Sequence, residues 1–302
     1  MGRSRLVGLF VLLAVMVHEP LHALDLRFFG GGGNLSFDSE RETPLGLEGK
    51  RFEPSVYPFG RISLEGEYST MVDYTVSFER DPVLRNRMLA SAGFTFGFLR
   101  LEFGPFMGLF NTGEQAISPG VTAALGIEFP GILFGSLQGA STIGSLALFP
   151  GDFIQETGEI AVGFWVPYVI CAFSISDKSF TERKTGDLLV KDEHTRYQFR
   201  ADVFTKNVPY TVRVNLGYQS LKRSYSPEGK NSETDELKSI YAGFEGTYQF
   251  TPAFQFILGA EMPVYVWGEK PLKGPERTAV MYQCHAGFVW TLPGMNRTPA
   301  FQ

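Results

Sequence analysis

Charged side chains recur every second residue along much of this 302-residue chain. Asp25 and Arg27 begin the series, followed by Arg61, Glu65 and Glu67, then Asp73 and Glu79, then Arg100 and Glu102. Glu128 and Glu159 stand alone, and Arg196, Arg200 and Asp202 form another set, with Arg213, Glu245 and Glu261 after it. At this spacing they offer ion pairing, charge selection and hydration along a surface. Nucleophilic chemistry has one candidate cluster, Asp192-Glu193-His194, because hydrolysis needs a histidine beside a hydroxyl or an acidic pair. The other histidine beyond the first twenty-three residues, His285, lies far along the chain. Cys171 and Cys284 are the only cysteines, so neither a disulfide framework nor a metal cluster is expected, and no cofactor is implied.

A period of two is the period of a β-strand, so the residues between these charges must form the opposite face. Residues 240–262 show it well. Ile240, Ala242, Phe244, Tyr248 and Phe250 occupy one face, and Glu245, Thr247 and Gln249 the other. A reversal at Thr251-Pro252-Ala253 then returns Phe254, Phe256, Leu258 and Met262 to the apolar face. The same alternation predicts strands beginning near 24, 57, 70, 87, 99, 119, 132, 158, 168, 194, 208, 237, 253 and 279. By face parity Cys171 and Cys284 belong to the apolar side. No helix of ordinary length intervenes. The uncharged stretch 129–151 is broken by two prolines and several glycines, which suits a turn, a strand and an apolar loop.

Connections alternate in length. Short turns are expected near Ser69, at Phe98-Leu99, Pro130-Gly131, Pro167, Asn207 and Thr251-Pro252. Longer polar loops are expected over 34–56, 142–157, 177–193, 223–236 and 268–278. Strands of about ten residues with unequal loops suit a membrane barrel. The amino terminus supports export: MGRSR is basic, LVGLFVLLAVMV is apolar, and a cut after Ala23 completes a secretory signal peptide at 1–23. The expected fold is therefore all-β, a transmembrane antiparallel up-and-down barrel of fourteen strands, in a single domain over 24–302. The 28 Phe and 34 Gly fit an aromatic outer surface and a crowded inner one. A net charge of −5 argues against nucleic acid as a partner.

The segment His285–Leu292 resembles the outer-membrane β-signal, with His285 as the polar position, Gly287 as the glycine, and Trp290 and Leu292 as the spaced apolar residues. It departs from that pattern because ten residues follow Leu292. The resemblance implies recognition by the barrel-assembly machinery. In strand number and in the lack of an amino-terminal plug the chain is similar to the monomeric fourteen-stranded porins. Its Gly/Phe texture also resembles spirochaete outer-membrane proteins. The implied location is the bacterial outer membrane, with lipid as one partner.

If the apolar face meets lipid, the charges above line the lumen, where the eleven acids outnumber the six bases. So many charges require a wet interior. Arg200, Arg213 and Glu245 are expected at mid-height on adjacent strands, and Glu65 opposite Asp73. The functional expectation is passive diffusion of small hydrophilic solutes with mild cation preference. The alternatives are a surface adhesin or binding barrel working through its outer loops, or a channel for apolar ligands. The loop GSLALFPGDFI suits either of these, presenting Leu146, Leu148, Phe149 and Phe153 to the mouth or to a surface ligand. GGGG at 30–33 ends a strand rather than cradling phosphate, since no helix follows.

Overall fold

The computed structural model describes residues 23–33, 57–69, 71–111, 115–143, 152–184, 188–204, 208–227, 233–269 and 283–291. Fourteen strands close on themselves: β1 (Ala23–Gly33), β2 (Tyr57–Ser69), β3 (Val72–Asp81), β4 (Arg85–Phe96), β5 (Leu99–Asn111), β6 (Gln115–Phe129), β7 (Leu133–Thr142), β8 (Phe153–Val166), β9 (Val169–Lys184), β10 (Leu188–Phe204), β11 (Tyr210–Pro227), β12 (Glu233–Thr251), β13 (Phe254–Glu269) and β14 (Gln283–Thr291). Each pairs antiparallel with its sequence neighbours, and β14 pairs with β1 to complete the circle. Closure leaves no strand edge unpaired, the condition a sheet must meet to sit in hydrocarbon.

The short turns collect at one rim. Gly97 and Gly131 take positive φ there, and Tyr168 does so at φ 69°. The strands run from this rim to unequal heights. β2 to β5 span 10–13 residues, whereas β9 to β13 span 16–19. Expected loops at 177–193 and 223–236 are therefore corrected. Strands β9 to β12 continue through most of those residues, and 185–187 and 228–232 lie outside the described residues. The outer face is largely polar in these extensions, so the apolar outer alternation that marked the lower strands is missing from them.

The outer surface carries a continuous apolar belt. Phe103, Leu125, Leu137, Ile160, Phe173, Phe199, Leu216, Phe244 and Leu258 all point away from the lumen and are exposed. Phe103 is 57% exposed. Tyr68, Phe98, Phe129, Tyr168, Tyr248, Phe250 and Trp290 ring the short-turn rim. Tyr197, Tyr218, Tyr265 and Trp267 form a contiguous aromatic strip on β10–β13 at the other limit of the belt. Two aromatic bands bounding an apolar belt mark a lipid-facing wall. Placing Arg at Phe103, near the belt centre, is expected to cost ~2–4 kcal/mol. Urea titration of the refolded barrel in lipid vesicles measures this.

Strand β5 contains Pro105, which has no N–H to donate. The β4–β5 ladder skips Ala90 and Ser91 there and resumes at Ala92↔Phe103. Gly104 makes the irregularity possible, since a Cβ at that position would lie 1.9 Å from the Ala90 carbonyl oxygen. The residues of the β-signal resemblance that are described, His285, Gly287 and Trp290, lie on β14; Leu292 lies outside the described residues. The expected leader lies outside them too, except Ala23, which begins β1. So do the glycines' loop beyond Gly33 and three of the four apolar loop residues, Leu146, Leu148 and Phe149.

Candidate functional site

The inner face is where charge concentrates, and register decides which charges meet. Arg27 on β1 reaches Glu65 on β2 at 3.1 Å. Arg87 on β4 meets Glu79 on β3 at 2.7 Å. Arg100 on β5 bonds Asp73 at 2.8 Å and Glu102 at 3.1 Å. Arg213 on β11 bridges Asp202 at 2.6 Å and Glu245 at 2.9 Å, and His285 joins Glu245 at 3.0 Å. Arg200 lies 3.4 Å from Asp202. Arg196 on β10 spans to β13, placing one nitrogen 2.8 Å from both oxygens of Glu261, and its guanidinium lies 4.3 Å over the Tyr241 ring. Among the described residues, Arg61, Glu67 and Glu128 have no charged partner.

Two expected placements change. Glu65 stands opposite Thr75, and it is Glu67 that faces Asp73 across β2–β3. The Arg213–Glu245 pair sits near the short-turn rim rather than at mid-height, because β11 and β12 continue far beyond it.

The larger change concerns the interior itself, expected to be largely wet. On the tall side the lumen is packed. The β3–β4 turn, Pro82-Val83-Leu84, leans across onto β8, β9 and β10. Val83 and Leu84 are 2% and 0% exposed. Asp81 shapes the turn by accepting bonds from the Val83 and Leu84 amides at 2.8 and 2.9 Å, and its other oxygen takes Lys178 of β9. Gln155 of β8 donates to the Leu84 carbonyl oxygen. Arg85 adopts a left-handed φ of 67°, a strained backbone for any residue other than glycine. Its guanidinium holds Asp192 of β10 at 3.2 Å, and Arg223 of β11 grips the same carboxylate at 2.5 and 2.8 Å. Arg85 also lies over the Phe180 ring.

Around this latch sits an apolar cluster inside the barrel. Phe153 stacks on Phe180 with centroids 5.6 Å apart, and Phe110 meets both edge-on. Phe106, Val190, Leu221 and Tyr225 are buried beside them. Phe153 is thus the first residue of β8 and 3% exposed, not a loop residue offered to a ligand. Sequence reasoning missed Val83, Leu84, Arg85, Arg223 and Tyr225 as inner residues. The signal that would have found them is the strand period continued through 220–227, SLKRSYSP, where Leu221, Arg223 and Tyr225 share one face.

Among the described residues, open space remains in the lumen. A cavity of about 570 Å³ lies at the short-turn end, lined by Arg100, Glu128, Phe134, Ser136, Trp165 and Arg200. A second, of about 390 Å³, runs beside β1–β3 and β14, opposite Lys178, His194 and Arg196. The lumen is therefore wide below and eccentric above.

Asp192, expected on a loop, and His194, expected at the start of a strand, both face inward on β10 and are buried. Asp192 is held by two arginines, and His194 shares a 3.1 Å hydrogen bond with Gln219. Gln219 in turn donates to Ser239, so it stands between His194 and that hydroxyl.

No protein-family model matches this sequence, and no curated protein is similar to it in sequence. Solved structures resemble its shape. An outer-membrane channel from Pseudomonas putida F1 is 9% identical over 91% of this chain and 97% of its own, with a TM-score of 0.46. A bacterial polysaccharide outer-membrane secretin is 9% identical over 91% and 100%, at 0.44. The NanC porin is 8% identical over 89% and 100%, at 0.42. The fold rests on the closed ladder described above, not on these distant likenesses.

Proposed function

We propose that this barrel sits in a bacterial outer membrane, exported by a cleaved leader at 1–23 and inserted by the barrel-assembly machinery through β14, and that it passes small hydrophilic solutes by diffusion. One observation carries the reading: an apolar belt faces outward while ion-paired, partly exposed charges line a lumen that holds open cavities. Side chains on the lipid side need no partner, whereas those inside would cost several kcal/mol each if dry and unpaired. Water must therefore reach the open part.

A mild cation preference belongs to this proposal. Glu67 and Glu128 stand toward the short-turn end without charged partners, where a cation entering or leaving meets them. Arg200 and Arg213 offset some of that field. Single-channel recording of the refolded chain across a salt gradient tests the reading. Discrete steps with a cation-biased reversal potential are the expected result, and Arg200→Glu with Arg213→Glu should shift it further toward the cation limit. A folded barrel that never conducts would overturn the proposal.

A surface role is the second reading, and the tall β9–β13 wall favours it. Above Tyr197 and Tyr218 its outer face bears Lys191, Glu193, Lys222, Glu236 and Lys238, linked at 2.6–3.5 Å. At about 3.3 Å per residue these strands rise well beyond the belt, placing a polar sheet where a surface ligand could reach it. Hydrolysis is not part of the proposal: Asp192 serves the latch, and His194 is bonded to Gln219.

A further inference from the structure

The cavity beside β1–β3 has a residual charge opposite to that of the wider end. Its acids are all engaged: Glu65 by Arg27, Glu79 by Arg87 and Asp81 by Lys178. Arg196 is engaged by Glu261. Arg61 is not. It faces Glu79 across β2–β3, but Glu79 gives its carboxylate to Arg87 on the next strand. The Arg61 side chain is exposed inside the cavity, with no partner among the described residues.

Beside it lies something a purely hydrophilic passage has no use for. Phe29, directly opposite Arg61 on β1, and Phe59, two residues before it on β2, both point inward. Their rings are 5.9 Å apart, and Phe29 continues onto the His285 ring at 4.5 Å. Unlike Phe106, Phe153 and Phe180, they are only half-buried. Gly31 makes room for the Phe59 ring, since a Cβ there would lie 2.8 Å from it. The result is a half-exposed aromatic shelf next to an unpaired planar cation.

We propose that this corner of the lumen binds small organic acids, with Arg61 taking a carboxylate and the Phe29–Phe59 shelf taking an apolar or aromatic body. A guanidinium offers two parallel N–H donors to a carboxylate, and part-removal from water strengthens that pair. The aromatic faces add area without adding charge. The site deepens the channel reading by naming a solute class, and it rests on that reading for its role in transport. Small cations still carry most current through the acidic wide end, while an organic acid lingers at Arg61.

The test uses benzoate, acetate and the folded mature chain. Saturation-transfer NMR on the detergent-folded barrel reads binding, and benzoate block of potassium current in a planar bilayer reads passage. Benzoate is expected to bind and block. Arg61→Gln should weaken both by about tenfold, the loss of one charge-assisted pair, while Arg61→Lys keeps part of the effect. Phe59→Ala should weaken benzoate and leave acetate unchanged. Heat-modified gel mobility confirms that each variant folds. Benzoate binding that ignores Arg61→Gln overturns the site. Steady conduction with no benzoate effect overturns the site and leaves the channel standing, whereas Arg61-dependent binding to a barrel that never conducts leaves the site and overturns the channel.

Discussion

Replacing Pro82-Val83-Leu84 with Gly-Ser-Gly is expected to raise single-channel conductance at least about twofold, the largest functional change any short substitution in this barrel should produce. The turn between β3 and β4 is what reaches across the lumen to β8, β9 and β10. Val83 and Leu84 are nearly inaccessible, and the Leu84 carbonyl oxygen accepts a bond from Gln155 four strands away. Without the two apolar side chains the tip loses most of its affinity for the Phe153–Phe180 cluster, since fully burying a Val or Leu is worth about 1.5–3 kcal/mol. The tip should then swing toward the rim and let water into the tall side. Bilayer recording of the variant measures the change. Unaltered conductance would mean that current bypasses the packed region entirely, along β1–β3 alone.

Replacing Asp192 with Ala is expected to give the largest loss of stability, on the order of 3–5 kcal/mol, because it removes the carboxylate that two buried cations share. Arg85 and Arg223 are each 8% exposed at the side chain, and the Asp192 carboxylate lies between them at 2.5–3.2 Å. Removing it also frees Arg85 to leave a strained left-handed backbone, so the β3–β4 turn should loosen in the same variant. Urea titration in lipid vesicles reads the stability, and proteolysis near Arg85 reads the loosening. A cost near zero would show that the arginines find other partners, water included.

Strand number and lower-wall faces were legible because lipid imposes a simple demand: every second residue must be apolar for the height of the bilayer. Phe94-Phe96-Phe98 and Tyr210-Val212-Val214-Leu216 obey it without exception. Above the bilayer the demand lapses. In LLVKDEHT the charges Lys191, Asp192 and Glu193 fall on both faces of β10 and resemble a loop, which hides Asp192 as an internal latch. The pairings across the lumen were illegible for another reason. Arg85 meets Asp192 more than a hundred residues away, and neither period nor spacing carries the shape of the barrel's cross-section. The Arg61 corner was half legible. Parity places Arg61 inside, and Phe29 and Phe59 share that inward parity with Arg27 and Arg61, but their aromatic rings are of the type that coats the lipid face.

The short last strand has a mechanical meaning. Among the described residues, β13 and β14 are paired from Phe254↔Trp290 to Glu261↔Gln283, whereas β11 and β12 are paired from Tyr210↔Tyr248 to Tyr225↔Glu233. A barrel is a zip closed into a ring, and a ring parts where its teeth are fewest. Amide protons on β14 should therefore exchange before those on β11. A refolding chain would complete the tall wall early and fasten β14 to β1 at the end, so the seam rather than the wall sets the rate at which a finished barrel emerges.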